Sequence, residues 1–165
     1  MTINEIQDEI IEEFSGFDDW MDKYQLLIDL GNEQEPLEEK YKTEQNLIDG
    51  CQSRVWLQAD LVEVKSEVVK SERLRVGDQR SGMEVKSKEV IHFRAESDAL
   101  IVKGIVSLLI RVLSDHTPQE ILDADLYFIE QIGLREHLSP TRSNGLLAMV
   151  KQMRMYALAF SSQTK

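Results

Sequence analysis

Apolar residues recur at helical spacing over Ile3, Ile6, Ile10 and Phe14, leaving Asp8, Glu9, Glu12 and Glu13 mainly outside. The pattern predicts an amphipathic helix. Thr2 and Glu5 stand before it at capping-box spacing, and Ser15-Gly16-Phe17 breaks it. Asp18 is placed to cap a second helix, with Trp20, Tyr24, Leu27 and Ile28 inward and Gly31 as its stop. Trp20 and Tyr24 read as core or groove wall. Asn32 to Lys42 is polar and contains Pro36, which rules out a central strand. A surface connection with one short helical turn is predicted there.

The period then changes. Arg54 to Leu61 and Val90 to Ala95 read as strands. Between them, Val62 to Lys88 alternates valines with charges at both ends, and Glu63-Val64-Lys65-Ser66 returns as Glu84-Val85-Lys86-Ser87. Its middle, Val76 to Gly82, is turn-like. Residues 62–88 therefore predict an inserted hairpin or a flexible segment, with too few large apolar groups to add much core and too short a repeat for a solenoid.

The last third is helical. Ser97 is placed to cap a helix from Asp98 to about Leu113, with Asp98 favourably in the first turn. Ile101, Val102, Ile105, Val106, Leu108, Leu109 and Val112 cover most of its circumference, which predicts the buried centre of the domain. Gly104 inside it predicts a close approach by another element. Thr117-Pro118-Gln119-Glu120 combines an N-cap, a first-position proline and a capping-box glutamate. A short helix follows, then Leu126 to Ile132, closed by Gly133. Ser139 and Pro140 open the final helix, whose inner stripe is Leu146, Val150, Met153 and Ala157; Leu147, Met149 and Met155 either widen that stripe or leave an apolar patch. Few strands and several helices give one α+β domain over residues 1–165.

Composition narrows the function classes. Hydrophobic content of 42% and charged content of 30% are those of a soluble globular protein. The N-terminus has no basic region and no apolar run, so no signal peptide is expected. Ala99 to Ile110 is too short to span a bilayer, and no membrane role is expected. The net charge of −11 is uneven: residues 1–49 carry −12 and the remainder +1. Nucleic-acid binding, which needs a clustered basic surface, is not expected. An acidic face can steer a basic partner; a solvated helix surface explains it equally well.

Candidate chemistry centres on Gly50-Cys51-Gln52-Ser53-Arg54, between a predicted turn and the first strand. Cys51 is the only cysteine. It cannot form an intramolecular disulfide, and with His92, His116 and His137 it shows no zinc-ligand spacing. Either Cys51 is a buried, inert thiol or it is a single-thiol nucleophile on a glycine-hinged turn. Nothing in the pattern identifies an orienting group for a Cys–His pair.

Asn46-Leu47-Ile48-Asp49-Gly50-Cys51-Gln52-Ser53-Arg54-Val55-Trp56 closely resembles the cysteine-loop signature of the SufE family, the sulfur-acceptor proteins of the Suf iron–sulfur assembly system and their CsdE relatives. Ser97-Asp98-Ala99, Val102-Lys103-Gly104, Thr117-Pro118-Gln119-Glu120-Ile121 and Leu138-Ser139-Pro140-Thr141-Arg142-Ser143-Asn144-Gly145-Leu146 follow in the family's order. Almost the whole chain is covered, residues 62–88 excepted, where family members usually have a short hairpin. The resemblance implies a small antiparallel sheet with helices packed on one face, as in IscU-type scaffolds. It implies a carrier rather than an enzyme. Cys51 would take persulfide sulfur from a pyridoxal-phosphate cysteine desulfurase of the SufS kind, stimulate that desulfurase, and pass the sulfur to a SufB-containing scaffold in the cytoplasm. No cofactor is expected in this chain, because pyridoxal phosphate belongs to the partner. Asp49, Gly50, Gln52, Ser53, Asp98, Lys103 and Arg142 are the loop and partner-contact candidates. Arg142 is placed either to lower the thiol pKa or to touch the partner. Leu47, Val55 and the last helix would line an inward position of the thiol. A CsdE-like acceptor serving another desulfurase and a non-catalytic module with an inert cysteine stay open, as does a weak homodimer.

Overall fold

The computed structural model describes residues 2–51, 53–69 and 83–163. Helix α1 (Ile3–Ser15) opens on the capping box: the Glu5 N–H donates to Thr2 Oγ1 and the Thr2 N–H to Glu5 Oε1, each at 3.1 Å. Helix α2 (Trp20–Glu33) is capped by Asp19, not Asp18; the Asp19 carboxylate accepts the Met21 N–H at 3.0 Å. It also runs past Gly31, where a stop was predicted. Gly31 instead lies against Gly104 of α3 (Leu100–Leu113). A Cβ on Gly104 would sit 2.2 Å from the Leu27 carbonyl oxygen, so the two helix backbones touch and no side chain fits between them.

Strands β1 (Val55–Val69) and β2 (Met83–Ser97) pair antiparallel in one register, from Val55 opposite Ser97 to Val69 opposite Met83. Both run well beyond the predicted 54–61 and 90–95. Valine–charge alternation in Val62 to Lys65 continues the ladder without entering the core. The predicted tip, Val76 to Gly82, lies outside the described residues.

Alternation sorts the sheet faces. Val55, Leu57, Ile91, Phe93 and Ala95 are buried on one face, against α3. Helix α3 contacts α1, α2, β2 and α6 (Pro140–Gln163), the central position its all-round apolar surface requires. The helices thus lie on one face, as the α+β reading expects. Residues 34–47 cross the other face: Gln34 Nε2 donates to the Ala95 carbonyl at 3.1 Å, Asn46 Nδ2 to Gln58 Oε1 at 3.0 Å, and the Arg94 guanidinium stacks 4.8 Å from the Tyr41 ring centroid. Two short helices, α4 (Pro118–Asp123) and α5 (Phe128–Gln131), lead to α6; α4 keeps the predicted capping box, while α5 is shorter than the predicted 126–132. Leu146, Met149, Met153 and Ala157 form the buried stripe of α6, so Met149 rather than half-buried Val150 completes it. Leu147 and Met155 are exposed.

Helix α3 begins two residues later than predicted. Ser97 Oγ accepts the Ala99 N–H at 3.2 Å, and Ala99 holds the cap position. Asp98 is thereby outside the helix, and its carboxylate turns elsewhere. No helix among the described residues is long and apolar enough to cross a membrane.

Candidate functional site

The turn bearing Cys51 is clamped at its base. The Ile48 N–H donates to the Val55 carbonyl at 2.9 Å, and Leu47 bridges Trp56. Ile48 and Val55 are both buried, so the clamp is part of the core. From it the chain turns outward through Gly50, whose φ of +93° is a conformation that L side chains rarely adopt. Asp98 holds the far end: its carboxylate accepts the Arg54 N–H at 3.1 Å, and its own N–H donates to the Arg54 carbonyl at 3.3 Å. Asp98, one of the loop and partner-contact candidates, thus anchors the backbone of the cysteine turn.

Cys51 folds back on α6. Its thiol donates weakly to the Gly145 carbonyl, Sγ···O 3.6 Å. A Cβ on Gly145 would lie 3.4 Å from Sγ, in van der Waals contact, so the sulfur sits directly against the α6 backbone. The thiol opens on a cavity of about 70 Å³. A single water needs roughly 10–15 Å³ measured this way, so an added atom of sulfur's size fits beside the thiol. Val102, Ile105 and Met149 form the inner wall, and exposed Thr141 and Arg142 form the rim. Leu47 and Val55, predicted as lining, hold the clamp instead. The last helix does contribute, through Thr141, Arg142, Gly145 and Met149, and α3 supplies Val102 and Ile105.

Burial pushes the Cys51 thiol above its ordinary pKa, and it is the cause of the shift. Arg142 does not offset it. Its guanidinium is exposed and has no hydrogen bond or ion pair among the described residues; only its backbone N–H is engaged, by Ser139 Oγ at 3.2 Å. Ser53 is half-buried on the cavity wall. Asp49 is exposed beside the turn, and Gln52 lies outside the described residues. Lys103 points away from the thiol: its ammonium meets Glu96 at 3.1 Å, and Glu96 also accepts the Leu37 N–H at 3.4 Å. That pair fastens residues 34–38 to α3 and β2. None of the histidines lines the cavity. His92 bonds Asp115 at 2.8 Å, His116 Nδ1 lies 3.0 Å from the Ser114 carbonyl, and His137 stacks on Trp20 with centroids 3.9 Å apart. Among the described residues, no group of three or more His, Cys, Asp or Glu could hold a metal ion.

Sequence reasoning missed the inner wall. Val102 and Ile105 are 51 and 54 positions from Cys51, and an apolar helix face says nothing about which turn it covers. Gly145 did carry a signal, since a glycine inside the first turns of a capped helix has no capping reason to be there.

Fold and site together define a single-thiol protein: one sulfur on a clamped turn, at the mouth of a cavity with an apolar inner wall and a polar rim. The family model described as SufE, Fe–S metabolism associated domain, matches residues 8–72 and 82–157. The chain belongs to the SufE family. Residues 73–81, between the two matched stretches, fall inside the 62–88 segment. The chain is also similar to a solution structure of a hypothetical protein from Thermus thermophilus, at 18% identity over 93% of this chain and 94% of that one, with a TM-score of 0.62. At that identity the likeness concerns the fold alone.

Proposed function

We propose that Cys51 is a sulfur carrier that draws on a pyridoxal-phosphate cysteine desulfurase of the SufS kind and delivers to a SufB-containing iron–sulfur scaffold in the cytoplasm, raising the desulfurase's turnover as it does so. The observation that carries this reading is the single thiol on a clamped turn at the mouth of a cavity, in a chain of a family associated with Fe–S metabolism. In the transfer step the Cys51 thiolate attacks the outer sulfur of the partner's cysteine persulfide. A new S–S bond forms on Cys51, the partner's S–S bond breaks, and the partner's cysteine leaves as a thiolate. Transferred sulfur and charge balance with no metal or external oxidant, by the logic of thiol–disulfide exchange. A second cysteine in this chain would discharge the intermediate as an internal disulfide. The pyridoxal phosphate that frees sulfur from cysteine resides in the partner.

Incubation with desulfurase and free cysteine, followed by intact-mass analysis, tests the assignment. Wild type should gain the mass of one sulfur, and Cys51→Ser should gain none while still binding the desulfurase. A Cys51→Ser variant that accelerated multiple-turnover sulfide release under limiting reductant would defeat it. A CsdE-like acceptor differs in partner rather than in chemistry, and a pull-down separates the two.

A further inference from the structure

We infer that the Gly145 carbonyl sorts the charge state of the carried sulfur, holding a protonated Cys51 thiol in the cavity and releasing an ionised thiol or persulfide toward the rim. The persulfide half of this inference rests on the proposed function; the thiol half does not.

The contact that holds the sulfur is one-sided. The Gly145 carbonyl oxygen can only accept, and Cys51 Sγ, 3.6 Å away, satisfies it only while it bears a proton. Loss of that proton leaves a negative sulfur facing the negative end of a carbonyl dipole. The side chains of Val102, Ile105 and Met149 offer no donor to an anion, and the Ser53 hydroxyl on the cavity wall makes no hydrogen bond to Sγ. Burial disfavours the charged form in the same direction.

The rim has the opposite character. The exposed Arg142 guanidinium and the Thr141 hydroxyl lie there, next to water and at the N-terminal turn of the long helix α6. The remaining charged groups near the turn do not reverse this polarity. Asp49 and Arg54 are exposed, the Asp98 carboxylate is bonded to the Arg54 backbone, and Lys103 on α3 is neutralised by Glu96. Neutral sulfur is therefore favoured inside and anionic sulfur outside.

Loading should convert one into the other. A terminal persulfide sulfur is a stronger acid than the thiol it replaces, because the adjacent polarisable sulfur disperses the charge. At neutral pH the empty carrier is protonated and stays in; the loaded carrier is an anion and comes out. The gating signal is then the cargo itself.

Proton NMR reads the position directly, since Gly145 and Cys51 Cβ are neighbours: a Cβ on Gly145 would lie 3.9 Å from it. The nuclear Overhauser contact between the Gly145 Hα and the residue-51 Hβ hydrogens should be strong in wild type at pH 7 and at least fivefold weaker at pH 10. In Cys51→Ser, which keeps a hydroxyl donor and does not ionise in this range, it should be equally strong at both pH values. Wild type loaded chemically with inorganic polysulfide should show the weak contact already at pH 7. Because this loading needs no desulfurase, the outcome is separate from the transfer assay. A contact that persists in the loaded protein at pH 7, or that weakens in parallel in wild type and Cys51→Ser as pH rises, overturns the inference.

Discussion

Replacing Asp98 with alanine removes one of the two hydrogen bonds that tie Arg54 to the start of α3, the 3.1 Å bond from the Arg54 N–H to the carboxylate. The backbone bond from the Asp98 N–H to the Arg54 carbonyl, 3.3 Å, stays available. The bond lies at the surface, so the freed Arg54 N–H turns to water and no buried donor is orphaned. The loss is then the net value of one hydrogen bond, about 0.5–1.5 kcal/mol. If movement of the cysteine turn breaks that bond, the moved state becomes about two- to tenfold more populated. Iodoacetamide reaches the half-buried thiol chiefly in that state, so its rate, followed by intact mass at fixed pH, should rise by the same factor. Asp98→Asn keeps an acceptor oxygen and should lie close to wild type. Global stability should fall by no more than the bond's own value. An Asp98→Ala protein that folds normally and labels at the wild-type rate would show that Asp98 does not restrain Cys51.

Gly104→Ala forces a Cβ to within 2.2 Å of the Leu27 carbonyl oxygen, where backbone rather than a flexible side chain must yield. It should cost roughly 3 kcal/mol and lower the thermal midpoint by about 6–12 °C, measurable by calorimetry; an unchanged midpoint would mean that α2 and α3 do not touch there. Joining Val62 to Val90, which lie opposite in the register, through an Asn-Gly turn removes residues 63–89. Their described side chains are exposed, and the only ion pair lost among them is Lys88–Glu120, worth about 0–1 kcal/mol. The midpoint should move by only a few degrees, and a large drop would show that the segment packs on the core.

What could be read in advance follows the range of the interactions. The capping boxes at Thr2 and Thr117, the helical stripes and the first-position proline of α6 are local, and they are where expected. The central place of α3 was legible because apolar residues cover most of its circumference and leave only the narrow polar stripe of Lys103, Ser107 and Arg111. Asp19 displaced Asp18 as a cap by a single residue, a choice between two adjacent carboxylates that composition cannot make. Asp98 was misplaced for a stronger reason. As a residue before an apolar run it reads as a first-turn acid, yet its partner is 44 positions away, at Arg54. Lys103 pairs with Glu96 of β2 by the same cross-element geometry. Beyond Leu61 and Val90 the valine–charge alternation points to a hairpin, but how far its ladder runs is set by backbone pairing, and the described side chains there, Glu63 to Lys65 and Ser87 to Glu89, are exposed and leave little trace of burial.

The clamp between Ile48 and Val55 sets a length for the chemistry. Cys51 is three residues from one jaw and four from the other. An extended chain spans at most about 3.5 Å per residue, so the sulfur works on a leash of about 10 Å. Within a hemisphere of that radius a single thiol is present at an effective concentration on the order of 0.5–1 M. A partner that brings its own sulfur to the rim therefore meets a reactant hundreds of times more concentrated than free protein at the millimolar level. A partner whose sulfur stops farther out meets none until Ile48 and Val55 part. The clamp thus divides prospective donors by how deeply they present a cysteine, and it does so without a single residue that recognises them.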